Sequence, residues 1–87
     1  MKAVWKFTLE GFRTKISLPK KAEFLCTQEQ NNIVTVYFLV SPDNPVEQRE
    51  FEVYGTGTAI NDHRVYLGSV QTHKQTYVWH VFEVTKR

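Results

Sequence analysis

Glu23-Phe24-Leu25-Cys26-Thr27-Gln28-Glu29-Gln30-Asn31-Asn32-Ile33-Val34-Thr35-Val36-Tyr37-Phe38-Leu39-Val40 decides the fold. Two runs of strand-forming residues flank a pair of asparagines, and asparagine tolerates the positive φ that a two-residue type I′ hairpin turn demands. The second run places Val34, Val36, Phe38 and Val40 on one parity and Ile33, Tyr37 and Leu39 on the other. Side chains alternate between faces along a strand. This strand is therefore expected to be buried on both faces.

The alternation continues outward from the hairpin. Ser41-Pro42-Asp43-Asn44-Pro45 cannot continue a ladder, because proline lacks the donor. Glu47 to Tyr54 then reads as a strand with Arg49, Phe51 and Val53 on one face and Gln48, Glu50, Glu52 and Tyr54 on the other. The Gly55-Thr56-Gly57-Thr58 segment interrupts it, Asn61-Asp62-His63-Arg64 turns the chain, and Val65 to Val70 is a further strand. After a turn over Thr72 to Gln75, Tyr77 to Val84 is apolar on both parities except at His80 and Glu83, and it too calls for a partner on each face. Toward the N-terminus, Trp5, Phe7 and Leu9 share a strand face up to Gly11. Lys15 to Leu18 forms a short strand closed by Pro19-Lys20-Lys21. No window repeats apolar residues at helical spacing. The expected fold is all-β: a small antiparallel meander, sandwich or partly open barrel of six to seven strands, in one domain over residues 1–87.

Composition narrows the class of function. The longest apolar run, Ile33 to Val40, is eight residues, well short of the roughly 20 a membrane helix needs. Lys2 and Lys6 interrupt what would be the apolar core of a signal peptide. With Cys26 as the single cysteine, neither an internal disulfide nor a thiolate metal cluster can form. These features lead us to expect a cytosolic protein, in the host-cell cytosol if its origin is viral, with no membrane and no cofactor. A net charge of +2 hides an uneven distribution: residues 1–21 carry six basic residues against Glu10, whereas residues 22–62 carry seven acidic residues against Arg49.

Trp5-Lys6-Phe7, Gln30-Asn31-Asn32, Leu39-Val40-Ser41-Pro42, Arg49-x-Phe51-x-Val53-Tyr54-Gly55-Thr56-Gly57 and His80-Val81-Phe82-Glu83 occur in an order similar to that of a family of small phage and prophage proteins of unknown function. The resemblance covers nearly the whole chain. Asn31-Asn32 and Ser41-Pro42 stand where that family often has Asn-Gly and Asp-Pro, and they preserve the turn chemistry. The resemblance implies phage origin and a cytoplasmic site of action, with no assigned activity.

Several residues invite a ligand. Arg49 sits on the apolar parity of its strand, where a guanidinium must be paired or reach solvent. Glu47, Asp62 or simple snorkelling would satisfy it structurally, and a phosphate or carboxylate would satisfy it functionally. Gly55, Thr56, Gly57 and Thr58 can offer N–H groups and hydroxyls to an anion. They equally suit a bulge or a positive φ at a sheet corner, and no helix follows to help hold a phosphate. Tyr54 can stack on a base, and His80 shares the parity of Val78, Phe82 and Val84. Six residues of strand, roughly 20 Å, separate Arg49 from Gly55, so one small anion bridges them only across an oligomer. His63, His73 and His80 lack metal-ligand spacing, and Cys26 has no evident base. The basic N-terminal aromatics resemble a single-strand nucleic-acid platform, but the inward parity of Trp5 and Phe7 assigns them to the core. The function expected is that of a non-enzymatic phage accessory protein, most concretely a homo-oligomer that sequesters a nucleotide-derived immune signal at Arg49, Tyr54, Gly55–Thr58 and His80. The alternatives are an inhibitor docking on a host protein and, less favoured, a single-stranded nucleic-acid-binding domain.

Overall fold

The computed structural model describes residues 1–85 as seven antiparallel strands: β1 (Ala3–Leu9), β2 (Arg13–Pro19), β3 (Glu23–Gln30), β4 (Ile33–Val40), β5 (Val46–Gly55), β6 (Arg64–Thr72) and β7 (Tyr77–Val84). There is no helix among the described residues, and so none long and apolar enough to cross a membrane. The strands form two sheets, ordered β1-β4-β3 and β2-β5-β7-β6. They pack as a sandwich and do not close into a barrel. Sequential pairing, as in a meander, survives only in the β3–β4 and β6–β7 hairpins. The β1–β2, β2–β3 and β4–β5 connections each carry the chain from one sheet to the other.

The period-two pattern explains which faces meet. In the register of β1 with β4, Ala3, Trp5, Phe7 and Leu9 oppose Val40, Phe38, Val36 and Val34, so these eight share the inner face. From the other sheet come Ile16, Leu18, Phe51, Val70 and Val81, all buried. Phe38 meets Phe7, Phe24 and Phe51 edge-on, with centroids 5.7 to 6.3 Å apart. At the β3–β4 turn, Asn31 and Asn32 have φ of 52° and 65°, the type I′ signature expected for them.

The expectation that β4 is covered on both faces does not hold. Only 17 Å separates the extremes of the thinnest axis, which is room for two sheets about 10 Å apart and their side chains. The second parity of β4 therefore forms the outer face of its sheet: Ile33 is 40% exposed, Tyr37 and Leu39 are half-buried, and only Thr35 is fully enclosed. The outer side of β7 likewise has no third layer. Phe82 is instead half-covered by Tyr54 and Tyr66, whose rings lie 5.6 and 5.3 Å from it.

Between the sheets, β3 and β6 approach each other along one flank without a backbone ladder. Bulges interrupt both strands there, at Phe24/Cys26 and Tyr66/Gly68, and Thr27 Oγ1 donates to the Leu67 carbonyl at 3.0 Å. Gly68 makes this approach possible. Its φ is +132°, and a Cβ would lie 3.3 Å from Cβ of Thr27. Gly68→Ala combines an unfavourable backbone with a tight contact and is expected to cost about 1–3 kcal/mol. Gly11→Asn, at φ +72° with open space around it, should cost only a few tenths of that. Urea denaturation of the two variants checks the contrast, and equal losses would contradict it.

Candidate functional site

Arg49 lies toward one end of the sandwich, and each of its three side-chain nitrogens donates a hydrogen bond. Its Nε and Nη2 donate to Glu83 at 2.6 and 2.8 Å, and Nη1 donates to the Ala22 carbonyl at 2.9 Å. Its guanidinium also stands 5.1 Å from the Phe38 ring centroid. These hydrogen bonds from Arg49 to Glu83 raise the guanidinium pKa above its ordinary value despite partial burial. The partner is Glu83 on the neighbouring strand, in place of the expected Glu47 or Asp62, because Phe51 pairs with Glu83 in the β5–β7 register and brings that carboxylate to the inner face.

The outer face of the four-stranded sheet holds a second ionic cluster. Glu52 and Tyr54, assigned by parity to a solvent-facing side, are buried. Arg13 Nε and Nη2 donate to Glu52 Oε2 at 3.0 and 2.7 Å, Arg64 Nε donates to Oε1 at 2.6 Å, and the Tyr54 hydroxyl donates to the same oxygen at 2.5 Å. Arg13 Nε also lies 2.7 Å from Glu50 Oε2. Burial alone would raise the Glu52 pKa, but the bonds from Arg64, Tyr54 and Arg13 outweigh it and bring the value down to about 2. Burial and the Glu52 carboxylate together raise that of Tyr54.

Gly55-Thr56-Gly57-Thr58 forms a turn closed by Thr58 N–H donating to the Gly55 carbonyl at 3.2 Å, with Gly57 at φ 90°. That is the positive φ a type II turn requires at its third residue. Thr56 Oγ1 lies 2.8 Å from His80 Nε2, Ser69 Oγ lies 2.6 Å from His80 Nδ1, and the Tyr66 hydroxyl is 2.6 Å from Ser69. His80 thus belongs to a hydroxyl–imidazole chain on the outer face.

At the other end from Arg49, the sandwich opens into a cleft of about 630 Å³. Leu9, Val34, Val53 and Trp79 line its apolar interior, and Glu10, Phe12, Asn32, Ile33, Thr58 and His73 also border it. Two hairpin turns frame the opening and are tied together by His73 N–H donating to Asn32 Oδ1 at 2.7 Å. Trp79 is fixed by its own Nε1 donating to Thr72 Oγ1 at 3.0 Å. Of the candidate ligand residues, Tyr54, Gly55 and Thr58 border this cleft, whereas Arg49, Thr56, Gly57 and His80 do not.

The match to a described family extends over residues 1–87. The chain belongs to the DUF7352 family, a domain of unknown function. No curated protein and no solved structure matches it. For this DUF7352 domain the cleft residues Leu9, Val34 and Trp79 were hidden in the sequence, since each occupies an inward parity and reads as core. Leu9 and Val34 are in fact buried core residues that also border the cleft, and all three lie within the last or first three residues of their strands.

Because the Glu52 pKa is lower in the folded chain than the ordinary 4.5, the unfolded chain binds the proton more tightly. Stability from this group is therefore complete above about pH 4.5 and is lost as pH falls toward 2. Glu52→Gln should flatten that part of the acid-unfolding profile. It should also lower neutral-pH stability by about 3 kcal/mol, because two arginines lose their shared anion. Urea midpoints between pH 2 and 7 test both effects, and an unchanged acid limb would contradict the assignment.

Proposed function

We propose that this DUF7352 domain is a non-enzymatic binding protein that holds a small molecule in the end cleft. The observation that carries this reading is the cleft itself: about 630 Å³, within the roughly 300–1,000 Å³ of small-molecule sites. It has a mostly apolar lining with a few polar groups at the rim. It is built within one chain, so binding needs no second subunit. Trp79, on the cleft wall, offers an aromatic surface to a planar ligand. In a phage setting, as the sequence resemblance implies, such a module acts by withdrawing a host small molecule from use.

The nucleotide version of this proposal draws on Tyr54, Gly55 and Thr58, which border the cleft, but a phosphate would find no Lys or Arg among the lining residues. Arg49 is six residues along β5 and engaged with Glu83. Retaining a nucleotide therefore requires a cation from a second copy. A second reading, docking on a host protein by edge-strand pairing, draws on the free edge of β1, where Val4 is 59% and Trp5 38% exposed.

Gly55 provides a clean test. A Cβ there would meet Trp79 at 3.7 Å and Thr58 at 3.8 Å, which is ordinary contact, so a side chain grows into the cleft from an unstrained backbone. Titration of wild-type protein with indole, followed by NMR, is expected to shift the methyl resonances of Leu9, Val34 and Val53 saturably. Gly55→Leu should weaken that binding at least tenfold while keeping the spectrum dispersed. Absence of saturable shifts at these methyls in the wild-type chain would overturn the cleft reading and favour the β1 edge.

A further inference from the structure

We infer that the cleft selects an organic cation: a flat apolar body carrying a protonated amine or quaternary ammonium group. The inference rests on the small-molecule reading and adds the charge of the ligand. Among the lining residues, Glu10 is the one Asp, Glu, Lys or Arg. Glu10 follows the last residue of β1, and its backbone is fixed where the chain crosses between sheets. Its N–H donates to Thr14 Oγ1, and that same hydroxyl donates to the Glu10 carbonyl, both at 3.2 Å. The carboxylate itself makes no hydrogen bond or ion pair with any described residue. Three other acids are held by the fold. Glu29 accepts the Asn32 N–H, Glu52 takes Arg13 and Arg64, and Glu83 takes Arg49.

The surrounding cations do not offset Glu10. Arg13 is the nearest in sequence, and its guanidinium is committed to Glu50 and Glu52. Lys74 follows His73 but borders the adjoining polar groove between β3 and β6. An anionic ligand entering the cleft would meet the exposed Glu10 carboxylate at its border, a repulsion that added salt screens. A cationic ligand meets that carboxylate and the aromatic wall supplied by Trp79, the Phe12 ring being already under the Arg13 guanidinium at 5.8 Å. The charge pattern thus assigns the site to hydrophobic amines and turns it away from carboxylates and phosphates.

Three ligands sharing one ring system separate the charge from the cleft: indole, tryptamine and indole-3-acetate, titrated calorimetrically and by the methyl shifts of Leu9, Val34 and Val53. Tryptamine is expected to bind about tenfold more tightly than indole, indole-3-acetate several-fold more weakly, and the tryptamine advantage should shrink with added salt. Glu10→Gln should bring the ratio of tryptamine to indole affinity close to one. A tryptamine advantage that persists in Glu10→Gln, or equal binding of all three ligands to the wild-type chain, overturns the charge assignment and leaves the cleft standing. Failure of indole itself to bind removes the cleft reading and this inference with it.

Discussion

The contact of Phe38 with Phe51 is the one on which the two layers depend. Phe38 lies at the centre of the three-stranded sheet, Phe51 lies on β5 of the four-stranded one, and both are fully buried with their rings 5.7 Å apart. Around this pair sit Phe7 and Phe24 on the flanking strands and the Arg49 guanidinium over the Phe38 face. A chain of 87 residues has little apolar surface to spare, since a domain this small buries only about 60–65% of what its unfolded form exposes. Concentrating aromatics at one point gives a two-layer structure a centre without a helix to cover either sheet. The cost falls on the ends of the sandwich, where side chains run out before the sheets do.

The two ends meet that cost differently. At the Arg49 end, an ion pair with Glu83 and a bond to the Ala22 carbonyl close the gap between the sheets. A charged plug of this kind is tolerable because each guanidinium nitrogen donates to an acceptor and the ring of Phe38 lies under it. The far end has no equivalent. Leu9, Val34, Val53 and Trp79 border open space there, and the Asn32–His73 bond ties the rim without filling the interior. At the closed end the charged groups bond one another, whereas at the open end the lining is mostly apolar.

Strand positions were legible in the sequence because period two is a local property, and the ends of β3, β4 and β7 fall where the alternation places them. The Asn31-Asn32 turn was legible because positive φ has a residue signature. Depth was less so. Alternation assigns Glu52 and Tyr54 to the outer face, and they are on it, yet Arg13, Arg64, Phe12 and Phe82 cover them so completely that the face acts as a small second core. Those partners come from the β1–β2 corner, β6 and β7, and their meeting depends on strand order. Arg49 shows the same limit. Its need for an acceptor is local and readable, but Glu83 as that acceptor follows from the pairing of β5 with β7.

The rim of the cleft carries backbone strain, because its turn demands positive φ at residues that are not glycine. His73, Lys74 and Gln75 all have positive φ, at 54°, 57° and 70°, in a turn closed by Thr76 N–H donating to the His73 carbonyl at 3.1 Å. Each such residue costs on the order of 1 kcal/mol relative to glycine, and an Asn-Gly pair would have met the same geometry without that penalty. The conformation persists because it is fixed from several sides. Asn32 accepts from the His73 N–H, the His73 ring bonds Thr72, and Thr72 in turn holds Trp79. This chain of contacts runs from the turn of one sheet, through the strained turn of the other, to the aromatic wall of the cleft. A wall held in this way is preorganised, so Trp79 would lose little freedom on contact with a ligand. The same contacts tie the hairpin turns of both sheets to one end of the molecule, so that the cleft is a property of the whole sandwich and not of any single loop.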